Sequence, residues 1–390
     1  GTLSGLKATV GGSVSQNSIF FGSGLYGTAA DSVIGLEVVM ADGEIITTGS
    51  AAQRNSGPFL RHYGPDLTGL FTSDSGSLGI KATITLKLIS KVPHVAFTSF
   101  SFPDHASMFT AASEVSRRGL ACEAFGFDLY LQAQRMKRES LAQDLKVLGN
   151  VMKSSGSVFG AIKDAAKIAT AGRRYMDDVP FSFHFTTENH NQVAAQEAIA
   201  EINSICKGAG GTKIENSIPK IIRSNPFMPL NNMVGPQGER WLPVHGLVPH
   251  SKAIEMADKI EELFKKHRKA MQEQGIETGY LFTLVGSSTC VLEPVFFWPD
   301  ELLDIHRHTV EGVVQKGFTD FGKRTEANNL VMSIRSEITL LFMEMGAVHL
   351  QIGKSYRYAE GIESTTLALI KALKNVLDPT NRINPGALGL

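Results

Sequence analysis

A glycine fingerprint without its usual surroundings places the tightest constraint on this chain. Gly22-Ser23-Gly24-Leu25-Tyr26-Gly27 reads GxGxxG, and Asp42 follows at about the distance of a ribose-binding carboxylate. In a dinucleotide-binding turn a strand enters such glycines and a helix leaves them, so that the helix N-terminus meets the pyrophosphate. Here Gly27 leads through Thr28-Ala29-Ala30-Asp31 into the strand-like run from Val33 to Met40. Asp42 falls in Ala41-Asp42-Gly43-Glu44, a hairpin signal, because glycine supplies the positive φ that such turns need. A Rossmann turn is therefore disfavoured. Gly11, Gly12, Gly22, Gly24, Gly27, Gly76 and Gly79 still mark places where backbone can approach a ligand or take φ > 0. Successive backbone N–H groups in such turns cradle anions, so a non-Rossmann phosphate-binding domain is the natural second reading; simple turns or bulges are the bland one.

Residues 1–91 are rich in Gly, Ser, Thr and β-branched side chains, and Ile34 to Met40, Glu44 to Thr48 and Ile80 to Ile89 read as strands. Val92-Pro93 marks a boundary. Beyond it, Val95 to Phe102 reads as a strand, Asp104 to Arg118 as a helix and Ala124 to Leu131 as a second strand. Pro180 to Thr187 alternates like a strand, with Asn191 to Lys207 helical behind it and Gly208 to Gly211 ending that helix. The theme returns with Trp241 to Val248, a long helix from Ser251 to Gln274 and a hairpin across Tyr280 to Phe297. Strands with helices packed on one face describe an α+β domain. Helices near Asp300 to Lys316, Thr325 to Met345 and Gly361 to Leu377 close the chain, with apolar positions at three and four spacing that serve a core. Residues 132–178 read as a solvated helical insertion, with Lys163, Lys167, Arg173 and Arg174 near its end; a membrane-surface segment is the alternative.

Composition narrows the function classes. The 390 residues carry 38 basic and 38 acidic side chains, so no global field attracts nucleic acid or an anionic membrane. No apolar run has the length of a bilayer span, and membrane contact is not expected. Cys122, Cys206 and Cys290 lie far apart and form no CxxC pair, which argues against a disulfide framework or structural zinc and for a reducing, cytoplasmic setting. The chain opens Gly1-Thr2-Leu3-Ser4 with no initiator Met, as expected of a fragment or processed product.

Several ordered blocks resemble one known family. Ala8-Thr9-Val10-Gly11-Gly12-Ser13 through Gln16-Asn17, then Tyr26-Gly27-Thr28-Ala29-Ala30-Asp31 and Val38-Val39-Met40-Ala41-Asp42-Gly43-Glu44, look like the second half of the FAD domain of the vanillyl-alcohol-oxidase (PCMH-type) flavoproteins. Gly64-Pro65-Asp66-Leu67-Thr68-Gly69-Leu70-Phe71 and Ser75-Gly76-Ser77-Leu78-Gly79-Ile80 continue the likeness. The rest resembles the linked-oxidase C-terminal domain of glycolate oxidase flavin subunits, D-lactate dehydrogenases and alkylglycerone-phosphate synthase. It does so most clearly at His349, Gly353-Lys354, Asp378-Pro379-Thr380-Asn381 and Asn384-Pro385-Gly386. The resemblance implies an α+β protein: the C-terminal half of a PCMH-type FAD-binding domain over 1–91, a cap domain with an antiparallel sheet flanked by helices over 92–345, and a segment returning to the flavin over 346–390. The family's first FAD-domain half, with the main pyrophosphate loop, would be missing, so these residues alone would bind FAD weakly or not at all. The implied cofactor is FAD, lined by Thr9, Val10, Gly11, Gly12, Gln16, Asn17, Gly27, Gly76, Gly79 and Ile80, with Asn384 where the C-terminal turn returns.

Flavin oxidation of an alcohol needs a C–H held over the ring and a group that takes the hydroxyl proton; the protein supplies geometry and electrostatics. His349 stands at the family's active-site histidine position and suits proton transfer near neutral pH. Lys354, Tyr356 and Arg357 follow it, and a Tyr–Arg pair can hold a carboxylate or phenolate, or can simply cover the last helix. Arg223 and His245 belong to the segment around Trp241-Leu242-Pro243, which borders the substrate cavity in the family. His306 and His308 read as surface residues at a helix start. The family's metal-dependent 2-hydroxy-acid dehydrogenases carry His-x-Gly-Asp-Gly-Asn-x-His before an apolar strand and a carboxylate directly before the later histidine. Here those places hold Val285-Gly286-Ser287-Ser288-Thr289-Cys290-Val291-Leu292 and Val348. A lone cysteine supplies no ligand set, and no catalytic metal is expected. The resemblance thus implies an FAD-dependent oxidoreductase acting on a CH–OH substrate of the D-2-hydroxy-acid type by hydride transfer to flavin N5. A small-molecule substrate, an unspecified electron acceptor and a homodimer as an open assembly go with it. An aryl-alcohol or para-substituted phenol oxidase, a non-redox flavoenzyme and an inactive flavin-binding subunit are the alternatives.

Overall fold

The computed structural model describes residues 2–138 and 179–390; most of the expected insertion, including Lys163, Lys167, Arg173 and Arg174, lies outside them. The chain divides into one unit of Gly1–Phe20, Tyr26–Lys91 and Thr339–Leu390 and another of Phe21–Leu25 and Val92–Ile338.

The first unit is built on a small antiparallel sheet in the order β2-β1-β3: β1 (Val33–Val39), β2 (Ile45–Thr47) and β3 (Ile80–Leu86). The β1–β2 turn forms as the sequence predicts, with Gly43 at φ 92° donating its N–H to the Met40 carbonyl at 3.0 Å and the Asp42 carboxylate accepting from Glu44 N at 3.0 Å. Val33, Leu36 and Val38 point from β1 into a core that Val14, Met40, Phe71 and Leu78 complete, and Leu377 of the Ser364–Leu377 helix packs against it. The Gly22–Gly27 run holds a single helical turn (Ser23–Tyr26), followed by a 3-10 turn (Ala29–Ser32) and then β1. That is not a strand–turn–helix, and the Rossmann reading fails on geometry as it did on sequence.

The second unit holds an eight-stranded antiparallel sheet. Its strands are β4 (His94–Phe102), β5 (Glu123–Asp128), β6 (Phe181–Asn189), β7 (Thr212–Ile214), β8 (Arg240–Pro243), β9 (Gly246–Pro249), β10 (Glu277–Val285) and β11 (Thr289–Trp298). They run β7-β4-β6-β5-β10-β11-β8, with β9 also on β11. Helices His105–Arg117 and Gln192–Gly208 are opened by Asp104, which accepts from Ser107 N at 2.7 Å, and by Asn191, which accepts from Val193 N at 2.8 Å. The Ala253–Gln274 helix stops at Gly275, whose φ of 67° is the usual left-handed end. Alternation sorts β6: Thr187 bonds the Ala195 carbonyl on the helical side, while Ser182, His184, Thr186 and Glu188 lie on the other face.

Four expectations need correction. The strand expected over Ala124 to Leu131 ends at Asp128, where the Asp128 carboxylate accepts from Leu131 N and Tyr280 N, both at 2.9 Å, and starts the Leu129–Arg138 helix. Trp241 to Val248 is two strands, broken where Val244 N donates to the Pro294 carbonyl. The helix expected over Asp300 to Lys316 is two short ones, Asp304–Thr309 and Gly312–Gln315, separated by buried Val310. His306 is buried, its ring nitrogen accepting from Leu303 N at 3.1 Å, whereas His308 is exposed.

Cys122, Cys206 and Cys290 are all free, buried and in the second unit. Burial pushes each thiol up to about 12. Among the described residues no helix is long and apolar enough to cross a membrane.

Candidate functional site

In the first unit, Thr9 caps the short Val10–Ser15 helix by accepting from Gly12 N at 3.0 Å, and a Cβ on Gly12 would stand 2.9 Å from that hydroxyl. Val10 is exposed, and a Cβ on Gly11 would meet nothing within 4 Å. Asn17, at φ 52°, accepts from Ala30 N at 3.1 Å. The Gln16 carbonyl accepts from Gln351 N at 2.9 Å, while Gln16 Oε1 is buried with no hydrogen-bond partner. Gly27 has a local reason to be glycine: a Cβ there would lie 2.3 Å from Asp31 Oδ2, the atom that accepts from Thr28 N and Thr28 Oγ1.

A second loop, residues 73–80, lies beside the first. Ser73 N donates to the Val14 carbonyl at 3.0 Å and Ser75 N to the Ser15 carbonyl at 2.8 Å. Ser73 and Ser75 are both left-handed, at φ 59° and 52°. Such backbone costs about 1–3 kcal/mol per residue and persists only where surrounding contacts over-determine it. Asp74 supplies some of them, accepting from Gly76 N at 3.0 Å and pairing with the buried Lys81 ammonium. Gly76 (φ 68°) borders space in which a Cβ would meet nothing within 4 Å; Gly79 is the opposite case, since a Cβ there would strike Val38 Cγ1 at 2.3 Å. Ile80 is exposed at the start of β3.

The C-terminal segment reaches the same loops. Gly353 N donates to Ser75 Oγ at 3.0 Å, and Asn384 Nδ2, on a backbone at φ 42°, donates to the Ser75 carbonyl at 2.7 Å. His349, half-buried, stacks on Tyr356 with centroids 4.1 Å apart and planes 19° from parallel, and meets Phe342 edge-on at 5.7 Å. Lys354 is exposed, and Arg357 pairs with Glu360 at 2.7 Å. Thr9 to Asn17, Gly76, Gly79, Asn384 and the His349–Arg357 stretch therefore belong to one unit. Two of their junctions, Gln351 to Gln16 and Gly353 to Ser75, are direct hydrogen bonds.

Arg223 and His245 belong to the second unit. Arg223, in the last turn of the Ser217–Ser224 helix, is bridged to both Glu123 and Glu188, whose side chains are nearly inaccessible. Burial raises the Glu123 carboxyl, and Arg223 opposes that rise. With both carboxylates ionised the trio carries a formal charge of −1. His245 is buried at the break between β8 and β9. On the β6 face, His184 is fully buried, with Nδ1 against Ser99 Oγ at 2.8 Å and Nε2 without a hydrogen-bond partner. Burial holds that imidazole down at about 3. Ser75, Gln351, Glu123, Glu188 and His184 escaped the sequence reading because their partners are remote in sequence. Among the described residues no group of three or more His, Cys, Asp or Glu side chains could hold a metal ion.

These features suit a flavin nucleotide. Gln16 Oε1 is an unpaired buried acceptor for an N–H donor, and Gly11 and Gly76 leave open space against backbone. Comparison with known proteins agrees: residues 1–49 match the family model described as an FAD binding domain, and residues 352–388 the one described as FAD linked oxidases, C-terminal domain. The glycolate oxidase subunit GlcD of Bacillus subtilis is 40% identical over 84 residues, 22% of this chain and 17% of that protein. The D-lactate dehydrogenase of Archaeoglobus fulgidus is 30% identical over 113 residues, 29% of this chain and 24% of its own. The matched segment thus spans less than a quarter of either relative. Among solved structures, p-cresol methylhydroxylase with substrate bound superposes with a TM-score of 0.64 at 16% identity, over 96% of this chain and 68% of its own. An alkyldihydroxyacetonephosphate synthase superposes with a TM-score of 0.59 at 13% identity, over 97% of this chain and 58% of its own. Residues 1–49 and 352–388 thus match FAD-linked oxidase domains, and the fold is the PCMH-type fold of these solved structures. Its cofactor is FAD.

Proposed function

We propose that this flavoprotein oxidises a carbon bearing a hydroxyl group, of the D-2-hydroxy-acid type, without a catalytic metal. One observation carries the reading: the stretch beginning at His349 is hydrogen-bonded to both candidate flavin loops, through Gln351 N to the Gln16 carbonyl and Gly353 N to Ser75 Oγ. A proton acceptor is thereby tied within a few residues of the backbone assigned to the cofactor. Bound FAD supplies the two-electron acceptor that no side chain can provide. In this reading Thr9 to Gly12, Gln16, Asn17, Gly27, Gly76, Gly79 and Ile80 hold the cofactor, and Asn384 anchors the 73–80 loop from the returning C-terminal turn. His349 takes the hydroxyl proton, its ring orientation fixed by the Tyr356 stack. Lys354, which is exposed, and Arg357 supply positive charge for a substrate carboxylate. The names of the sequence relatives support a hydroxy acid.

A second reading, oxidation of an uncharged aryl alcohol or para-substituted phenol, is favoured by the Arg223 trio, because Glu123 and Glu188 already engage the arginine of the segment that the family resemblance sets at the substrate cavity. Anaerobic addition of D-lactate, glycolate and 4-alkylphenols to the flavin-loaded protein decides between them. Bleaching of the oxidised flavin by a hydroxy acid supports the first reading, bleaching by phenols alone supports the second, and none by any alcohol removes both.

A further inference from the structure

Lys374 and Asp378 are spaced i,i+4 on the Ser364–Leu377 helix and its cap, a spacing that ordinarily makes a solvent-exposed pair worth a few tenths of a kcal/mol. Here both are buried, Lys374 at 5% and Asp378 at 1% exposure. An ammonium has three protons to give, and Lys374 Nζ gives all three: to Asp378 Oδ2 at 2.6 Å, to the Ser77 carbonyl at 2.8 Å and to the Ile383 carbonyl at 2.8 Å. Asp378 in turn accepts from Arg382 N at 2.9 Å and Ile383 N at 2.7 Å. One residue further along, Asn384 delivers its amide to the Ser75 carbonyl. A single buried cation therefore joins the last long helix, the turn after it and the 73–80 loop, holding that loop at Ser77 while Asn384 holds it at Ser75. Gly76, with its open surroundings, sits between the two anchor points.

We propose that Lys374 and Asp378 are positioning residues for the cofactor: they aim Asn384 at Ser75 and hold the loop in the left-handed backbone that presents Gly76 to FAD. This rests on the assignment of that loop to the flavin. Neither residue touches the cofactor in this account, and neither takes part in proton or hydride transfer. The strain at Ser73 and Ser75 gives the latch its purpose, because without outside anchors the loop relaxes to ordinary backbone.

Two substitutions in the flavin-binding protein test the idea. Lys374→Met keeps the length of the side chain and removes the charge; Asn384→Ala removes only the exposed outer anchor and spares the buried pair. After the flavin is stripped, FAD affinity is titrated by fluorescence quenching, visible circular dichroism of the rebound flavin is recorded, and amide exchange of residues 73–80 is followed without cofactor. The expected result for Asn384→Ala is an affinity loss of about five- to tenfold, the scale of one hydrogen bond, an altered flavin dichroism and faster exchange confined to the loop. Lys374→Met should show a larger loss of the same kind. Wild-type affinity, dichroism and loop exchange in Asn384→Ala overturn the proposal and leave the flavin reading intact. A full-length wild-type protein that never takes up FAD overturns both. If Lys374→Met unfolds, Asn384→Ala alone decides.

Discussion

The imidazole of His349 lies face to face with the phenol ring of Tyr356, 4.1 Å between centroids, with the edge of Phe342 closing its other contact. Ring packing of this kind fixes side-chain torsions. His349→Asn should lower the rate of flavin reduction by substrate by about 10²–10⁴-fold, the usual contribution of a positioned base, while FAD affinity stays within about twofold. Tyr356→Leu should give a smaller loss by letting the imidazole turn. Stopped-flow reduction of the loaded enzyme measures both, and a wild-type rate in His349→Asn removes it from the chemistry.

The glycines divide into two kinds with opposite signatures. Gly79→Ala drives a methyl into Val38 and Phe71 of the core, and should destabilise the first unit by about 1–3 kcal/mol, as overpacking does. Gly11→Ala meets nothing within 4 Å and should leave stability within about 0.5 kcal/mol while weakening FAD binding. Urea unfolding beside a flavin titration separates the two; equal effects of both changes on both quantities contradict the division.

His184 makes the second unit acid-sensitive. Its folded pKa, about 3, lies below the roughly 6.5 of an unfolded histidine. Between those values the unfolded chain binds the proton and the folded one refuses it. The stabilisation is therefore complete above about pH 6.5 and falls as the pH drops, by up to about 1.4 kcal/mol per unit. Unfolding free energies at pH 7 and pH 5.5 should converge in His184→Leu and differ in the wild type. The same pH dependence in both proteins refutes the assignment.

Arg223 serves two buried carboxylates at once. Its replacement by Met leaves them facing each other uncompensated, at a cost of about 3–5 kcal/mol, and adding Glu123→Gln and Glu188→Gln should restore most of it. A triple variant as unstable as Arg223→Met alone points instead to lost packing by the arginine stem.

Treatment of the loaded enzyme with a strong chelator, followed by gel filtration, should leave the rate of flavin reduction unchanged, since no described cluster offers three metal donors. Loss of activity that zinc or manganese restores would falsify the metal-free proposal.

How much of this was legible beforehand depended on distance along the chain. The β1–β2 hairpin was readable because Gly43 and Asp42 act within the turn they form. The Gln192–Gly208 helix was readable because Asn191 caps it locally. What resisted was tertiary. The end of β5 is the exception: Asp128, still a strand residue, accepts locally from Leu131 N to start the next helix, and Tyr280 N from β10 adds a second bond to the same carboxylate. Lys374 and Asp378 have the i,i+4 spacing of an ordinary exposed pair, yet they are buried, with Lys374 bonded to the Ser77 carbonyl supplied from far upstream. Arg223 reads as a cation awaiting a substrate because neither Glu123 nor Glu188 is near it in sequence. The candidate flavin site was visible as ordered glycine blocks, but which glycines face open space and which face packed atoms required coordinates: Gly11 and Gly79 look alike in sequence.

The three thiols offer a practical handle. Each is shielded and strongly protonated, so a maleimide reagent at neutral pH should find nothing to react with until the surrounding structure opens. All three sit in the unit built on the eight-stranded sheet. Labelling kinetics are therefore a clock for the breathing of that unit alone, silent about the other, and mass spectrometry of the tagged peptides would show whether the sheet opens first near β5, at the end of the Gln192–Gly208 helix, or along β11.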